Sequence, residues 1–202
     1  MYQPKHFQTD RPELVARLMR EHGFATLVSF PDGQATADAV PLLYEGDGTG
    51  GKLVGHVAFA NPLRKSIRAG ERALAIFNGP HCYVSPTLYV TGDQVPTWNY
   101  AVVHAHGNFR AIDDEARAES VLRELSDKYE SPRPNPWRFE IPDWGRGKLL
   151  ARIAVFEIAI ERIDAKFKLS QNRDPADRES VLRAFNASAD PSERDVARWM
   201  ES

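Results

Sequence analysis

Residues 95–110 read VPTWNYAVVHAHGNFR, and their alternation decides the fold class. At a period of two, Asn99, Ala101, Val103, Ala105, Gly107 and Phe109 fall on one face, while Tyr100, Val102, His104 and His106 fall on the other. The spacing predicts one long strand with two unlike faces. Small and apolar residues on the first face suit the interior of a tightly curved sheet. The second carries an aromatic ring and two imidazoles, too polar for a core and too aromatic for plain solvent, so it suits a ligand or another subunit. Pro96 stands at the strand start, where its missing N–H costs no ladder bond, and Gly107 marks a bulge at which the strand bends.

Upstream, the pattern predicts a helix capped by Asp10, with Pro12 and Glu13 in its first turn, a stripe of Leu14, Val15, Leu18 and Met19, and a stop at Gly23. Ala25–Phe30 and Gln34–Tyr44 read as a hairpin turned by Pro31-Asp32-Gly33. The glycine-rich run 46–51 then leads into a strand over Lys52–Ala58; without a Lys-Ser/Thr ending or a following helix it is a hairpin loop rather than a phosphate cradle. HVAFANP at 56–62 runs from that strand into a short helix, with Asn61-Pro62 as cap and first residue. His56 at such a junction suits an anion site, or else is a plain strand residue beside a plain cap. Ala73–Asn78 is a strand, and Gly79-Pro80-His81 is expected to turn the chain into Cys82–Ser85.

Downstream, a helix is expected from Asp113 to about Tyr129, then a Pro- and Gly-rich loop over 131–147 with Trp137, Phe139 and Trp144. That loop is expected to pack on a partner, a ligand or its own domain. Leu150–Ile163 reads as the final strand, and two short helices are expected at about 177–186 and 192–200. The expected organisation is one domain over residues 1–173 and a helical appendage over 174–202.

The 202 residues can bury a substantial core, and the net charge of −2 gives no general basic footprint for nucleic acid. A single cysteine, Cys82, excludes an internal disulfide; the first ten residues lack a signal-peptide run, and the most apolar stretch is broken by Arg152 and Glu157. A cytoplasmic protein without a membrane span is expected. His104 and His106 lack a third metal ligand at a usual spacing, and Cys82 has no recognisable activating partner, which favours a buried thiol. KFKLSQNR at 166–173 is the most informative polar run. Lys166 and Lys168 point the same way if extended, and Ser170, Gln171 and Asn172 add donors, which suits a phosphate beside a polar ring or an exposed basic strand end.

Taken together, MYQPKHF, FATLVS, GHVAFANP, AIFNGPHCYVSPTLY, VPTWNYAVVHAHG and KFKLSQNR closely resemble the PaiB-type family of FMN-binding negative transcriptional regulators, over nearly the whole chain. The resemblance implies a mainly β fold with peripheral helices, a six-stranded antiparallel Greek-key split β-barrel, forming a homodimer with FMN between subunits. It implies cofactor contacts from His56, Ala58 and Asn61, from Trp98, Asn99 and Tyr100, and from Lys166, Lys168, Ser170, Gln171 and Asn172. Phe59 departs from the family pattern, standing where a basic or polar residue is expected. No basic recognition helix accompanies the regulatory name, since Arg178, Arg183, Arg194 and Arg198 in the terminal helices are matched by acids. Four functions stay open at this stage: an FMN-binding protein with an indirect or flavin-sensed regulatory role, an FMN-dependent oxidoreductase using a nicotinamide donor, a haem-binding protein with a histidine ligand, and a DNA-binding repressor, which the acidic balance disfavours.

Overall fold

The computed structural model describes residues 1–92, 94–140 and 143–202, with the side chains of 143, 144 and 146 outside the description. Seven strands form one antiparallel sheet: β1 (Phe24–Ser29), β2 (Thr36–Pro41), β3 (Leu43–Glu45), β4 (Lys52–Ala58), β5 (Arg72–Val84), β6 (Thr97–Ala111) and β7 (Ile153–Lys168). Their order is β2-β1-β5-β6-β7-β4-β3. The two end strands are separated in sequence by Leu42 alone, so the sheet curls until its edges become one bent piece of chain. That is a split barrel, as the resemblance implied, with seven strands rather than six. The extra strand comes from the segment expected as one strand over 34–44. Pro41 has no N–H to extend the ladder, and the Leu42 N–H turns to the Gly23 carbonyl at 2.7 Å before the chain pairs with β4.

The long strand β6 has the two faces its alternation predicts. Asn99, Ala101, Val103, Ala105 and Phe109 are at most 2 % exposed and line the barrel interior. There Phe109 meets Phe156 of β7 edge-on, with ring centroids 5.4 Å apart. The β6–β7 register shifts between His106 and Gly107, where β7 carries one residue more. Gly107 is required at this bulge because a Cβ there would lie 2.0 Å from the Ala159 carbonyl oxygen.

Among the described residues six α-helices cover the barrel: α1 (Pro12–Glu21), α2 (Leu63–Ala69), α3 (Glu115–Glu130), α4 (Asp143–Leu150), α5 (Pro175–Asn186) and α6 (Pro191–Met200). Val15, Leu18 and Met19 of α1 enter the barrel core, whereas Ala118, Val121 and Leu125 of α3 cluster with Val54 and Val155 in a second core. From α5 and α6, Val181, Phe185, Val196 and Trp199 join the barrel core itself. Asp177 of α5 is fully buried and accepts from the Val90 and Thr91 N–H groups at 2.8 and 3.0 Å and from the Thr91 hydroxyl at 2.6 Å. The helix pair expected as an appendage thus shares the barrel's core and is tied to the loop before β6.

Several local expectations are corrected. The first helix starts at Pro12 after Arg11, with no side-chain cap from Asp10. Gly79-Pro80-His81 does not turn the chain: β5 runs through it, absorbing the proline in a register shift between Asn78 and His81. The expected loop over 131–147 gives way to α4 at Asp143. Within it Phe139 packs on its own α3, with the Arg123 guanidinium donating to its carbonyl at 2.9 Å, while Trp137 is exposed; the Trp144 side chain lies outside the described residues. Finally, β7 continues to Lys168, so the first residues of KFKLSQNR belong to the last strand rather than to a segment after it.

Gly107→Ala is expected to cost about 1–3 kcal/mol, the usual range for overpacking a closed interior. A urea titration should show a lower midpoint at unchanged slope.

Candidate functional site

The outer face of β5, β6 and β7 gathers residues from three distant stretches of sequence. Tyr83 stands opposite Trp98, His81 opposite Tyr100, and Ile76 opposite His104; on the other side of β6, Lys168 stands opposite Tyr100 and Lys166 opposite Val102. Trp98 and Tyr83 are 52 % and 47 % exposed, and their rings meet edge-on at 6.1 Å. Asn78, Gly79, His81, Trp98, Tyr100 and Val102 line a mainly apolar hollow in this face. Such surface is the kind that a planar ligand or a subunit covers.

The two lysines are held by aromatic rings and by backbone. The amino-terminal segment lies across them, with Gln3 donating to the Ala165 carbonyl at 2.7 Å. The Lys166 ammonium lies 5.3 Å from the Tyr100 ring centre, 5.6 Å from that of Tyr2 and 5.9 Å from that of Phe7. Lys168 donates to the Thr97 hydroxyl and the Trp98 carbonyl. Burial lowers the Lys168 pKa, and the positive charges of Arg173 and Lys166 lower it further.

A second cluster surrounds the junction of β4 and α2. His56 is half-buried opposite Val155, and its Nδ1 is buried without a hydrogen-bond partner. Burial lowers its pKa. Ala58 closes β4 in an exposed position. Asn61 holds the turn: its amide donates to Asp38 at 2.9 Å while its carbonyl oxygen accepts from the Leu63 N–H at 2.8 Å. Phe59 is exposed, and the Arg64 guanidinium lies 4.1 Å from its ring centre. Arg64 was not among the residues that the sequence pointed to. Its only sequence signal is a basic residue one short turn after a motif that lacks one.

Of the remaining expected contacts, Asn99 and Ser170 face inward. The Asn99 amide donates to the Ser170 hydroxyl at 2.9 Å, and both residues are buried. Ser170 takes a φ of 61°, which turns the chain out of β7. Gln171 spends its side chain locally, accepting from the Leu169 N–H at 2.6 Å and donating to the Phe167 carbonyl. Asn172 is exposed in the same turn. Away from these clusters, burial pushes the Cys82 thiol up to about 12, which leaves it protonated and a poor nucleophile.

The structure brings Trp98, Tyr100, Lys166 and Lys168 together, and separately His56, Ala58 and Asn61, but it does not join the two groups in one protomer. His56 pairs with Val155 and Tyr100 with Lys168, near opposite ends of β7. From residue 155 to residue 166 the strand runs about 36 Å at ~3.3 Å per residue.

Because the folded His56 has a lowered pKa, both states are neutral above the ordinary imidazole value of about 6.5. As the pH falls through that value the unfolded chain takes up a proton that the folded chain resists, so His56 lowers stability on the acid side. His56→Asn is expected to show a shallower loss of unfolding free energy between about pH 7 and about pH 5, measured by urea titration at each pH.

Residues 1–162 match a family model described as "Putative FMN-binding domain". The chain is 34 % identical over 203 residues to the protease synthase and sporulation protein PAI 2 of Bacillus subtilis, covering 100 % of this chain and 97 % of that one. It is 32 % identical over 176 residues to the uncharacterized protein AN0679 of Emericella nidulans, covering 72 % of this chain and 70 % of that one. Among solved structures, the FAD and heme binding protein of Mycobacterium smegmatis matches with a TM-score of 0.63 at 19 % identity, over 94 % of this chain and 96 % of that one. The flavocytochrome Anf3 of Azotobacter vinelandii matches with a TM-score of 0.58 at 15 % identity, over 80 % and 67 %. At such identities the two structures speak for the fold alone.

Proposed function

Because this chain belongs to the PaiB-type family of FMN-binding-domain proteins, we propose that it acts as a homodimer holding one FMN in each of two sites between its subunits, in a cytoplasmic role that links flavin to regulation. The observation that carries this reading is the placement of the two residue clusters near opposite ends of β7. In a two-fold dimer formed through the outer face of β5 and β6, the β4–α2 junction of one subunit meets the lysine end of the other. The exposed aromatic surface of Trp98 and Tyr83 supports that choice of face.

The residues present fit such a ligand. Trp98 and Tyr100 offer flat apolar surface to a ring system, and Lys166 adds positive charge beside Tyr100. The buried, unpartnered His56 Nδ1 supplies a hydrogen-bonding atom that the protein itself does not use. Asn61 fixes the turn that carries it. A bound flavin supplies reversible one- and two-electron chemistry, while the protein orients it and limits its access to water. The net charge of −2 favours regulation through flavin state or a protein partner over direct DNA contact.

Two damaged proteins test the shared site: one carrying His56→Ala with Asn61→Ala, the other Trp98→Ala with Tyr100→Ala. Each alone is expected to lose FMN, and an equal mixture exchanged through refolding should recover roughly one quarter of the sites, those left intact in mixed dimers. No recovery, or a monomer by gel filtration, would sink the shared site. Steady oxidation of NADH by the FMN-loaded protein with a small acceptor would make the oxidoreductase reading the better one.

A further inference from the structure

We propose that Phe59 serves as a platform that holds Arg64 ready for the phosphate of the flavin, so that the anionic end of the cofactor lies at the β4–α2 junction and its ring at the lysine face. The inference rests on the FMN reading above and adds which residue takes the phosphate and how it is positioned.

Arg64 differs from Arg68 and Lys168 in how its charge is used. Arg68 is paired with Asp113 at 2.6 Å. Lys168 is engaged by Thr97 and the Trp98 carbonyl, and Lys166 sits among three aromatic rings. Among the described residues the Arg64 side chain has neither an ion pair nor a hydrogen bond; its one contact of this kind is the face of Phe59, 4.1 Å away. Stacking on a ring occupies the flat face of a guanidinium and leaves its in-plane N–H edge open, the edge that binds phosphate oxygens in pairs. Asp38 accepts from the Asn61 amide through one carboxylate oxygen at 2.9 Å.

Both members of the pair stand on fixed backbone. The Phe59 N–H donates to the Arg152 carbonyl at 2.8 Å, and the Arg64 N–H to the Asn61 carbonyl at 3.0 Å. Phe59 is 45 % exposed, so its ring face is open to the Arg64 guanidinium. The departure of Phe59 from the basic or polar residue expected at its position therefore does not by itself remove the charge that a phosphate needs. The charge is supplied from α2, and the ring prepays part of the ordering of a long side chain.

Titrations of the full-length protein by flavin fluorescence, run in parallel with FMN and riboflavin, separate the phosphate from the ring. Arg64→Ala and Arg64→Gln are expected to weaken FMN roughly tenfold to hundredfold and to leave riboflavin unchanged. Phe59→Ala should weaken FMN by a smaller factor, again sparing riboflavin, and adding it to Arg64→Ala should bring little further loss. If the unaltered protein binds neither flavin, the FMN reading itself fails. If it binds FMN but both Arg64 variants keep that affinity, or lose FMN and riboflavin alike, the phosphate assignment alone is overturned. Additive losses from Phe59 and Arg64 would overturn the platform.

Discussion

Strand β6 is hydrogen-bonded to β5 on one side and β7 on the other along nearly its whole length, and the two-residue alternation of that strand is the constraint on which the molecule depends. The inward side chains close the core, and outward Trp98, Tyr100 and Val102 line the candidate site. A slip of one residue would drive Trp98 and Tyr100 into the barrel and expel Asn99 and Val103. Such a slip is blocked from several directions. Asn99 is bonded to Ser170 inside, and Phe109 is locked against Phe156. At Gly107 the partner strand approaches so closely that no side chain fits.

β7 pairs with β6 from Phe156 to Lys168 and with β4 from Ile153 to Ala159, so it links the two clusters. The chemistry of each end follows from its neighbours. At the lysine end, rings and backbone carbonyls already surround the ammonium groups, so the environment suits a delocalised ring better than a second strong anion. At the β4–α2 junction, a guanidinium without a counter-ion and an imidazole nitrogen without a partner among the described residues leave polar capacity unused. The C-terminal helices contribute in a different way: Trp199 stacks on Phe167 with centroids 5.8 Å apart, bracing the end of β7 that carries the lysines.

What could be read without coordinates was whatever local periodicity or a short motif encodes. The sequence by itself determined the two faces of β6, the hairpin around Pro31-Asp32-Gly33, the amphipathic helices and the family, because alternation, turn residues and contiguous motifs are properties of neighbouring positions. Only the tertiary structure decided which residues meet. Asn99 lies in a site motif yet faces the core, and Arg64 gains its meaning from a ring five residues away. The terminal helices, polar enough to read as an appendage, bury Val181, Phe185 and Trp199 in the barrel core. The distance between His56 and Lys166 depends on how three strands pair across the sheet. Long-range pairing is chosen by the collective burial of the barrel interior, a sum over the whole chain that no single window of sequence contains.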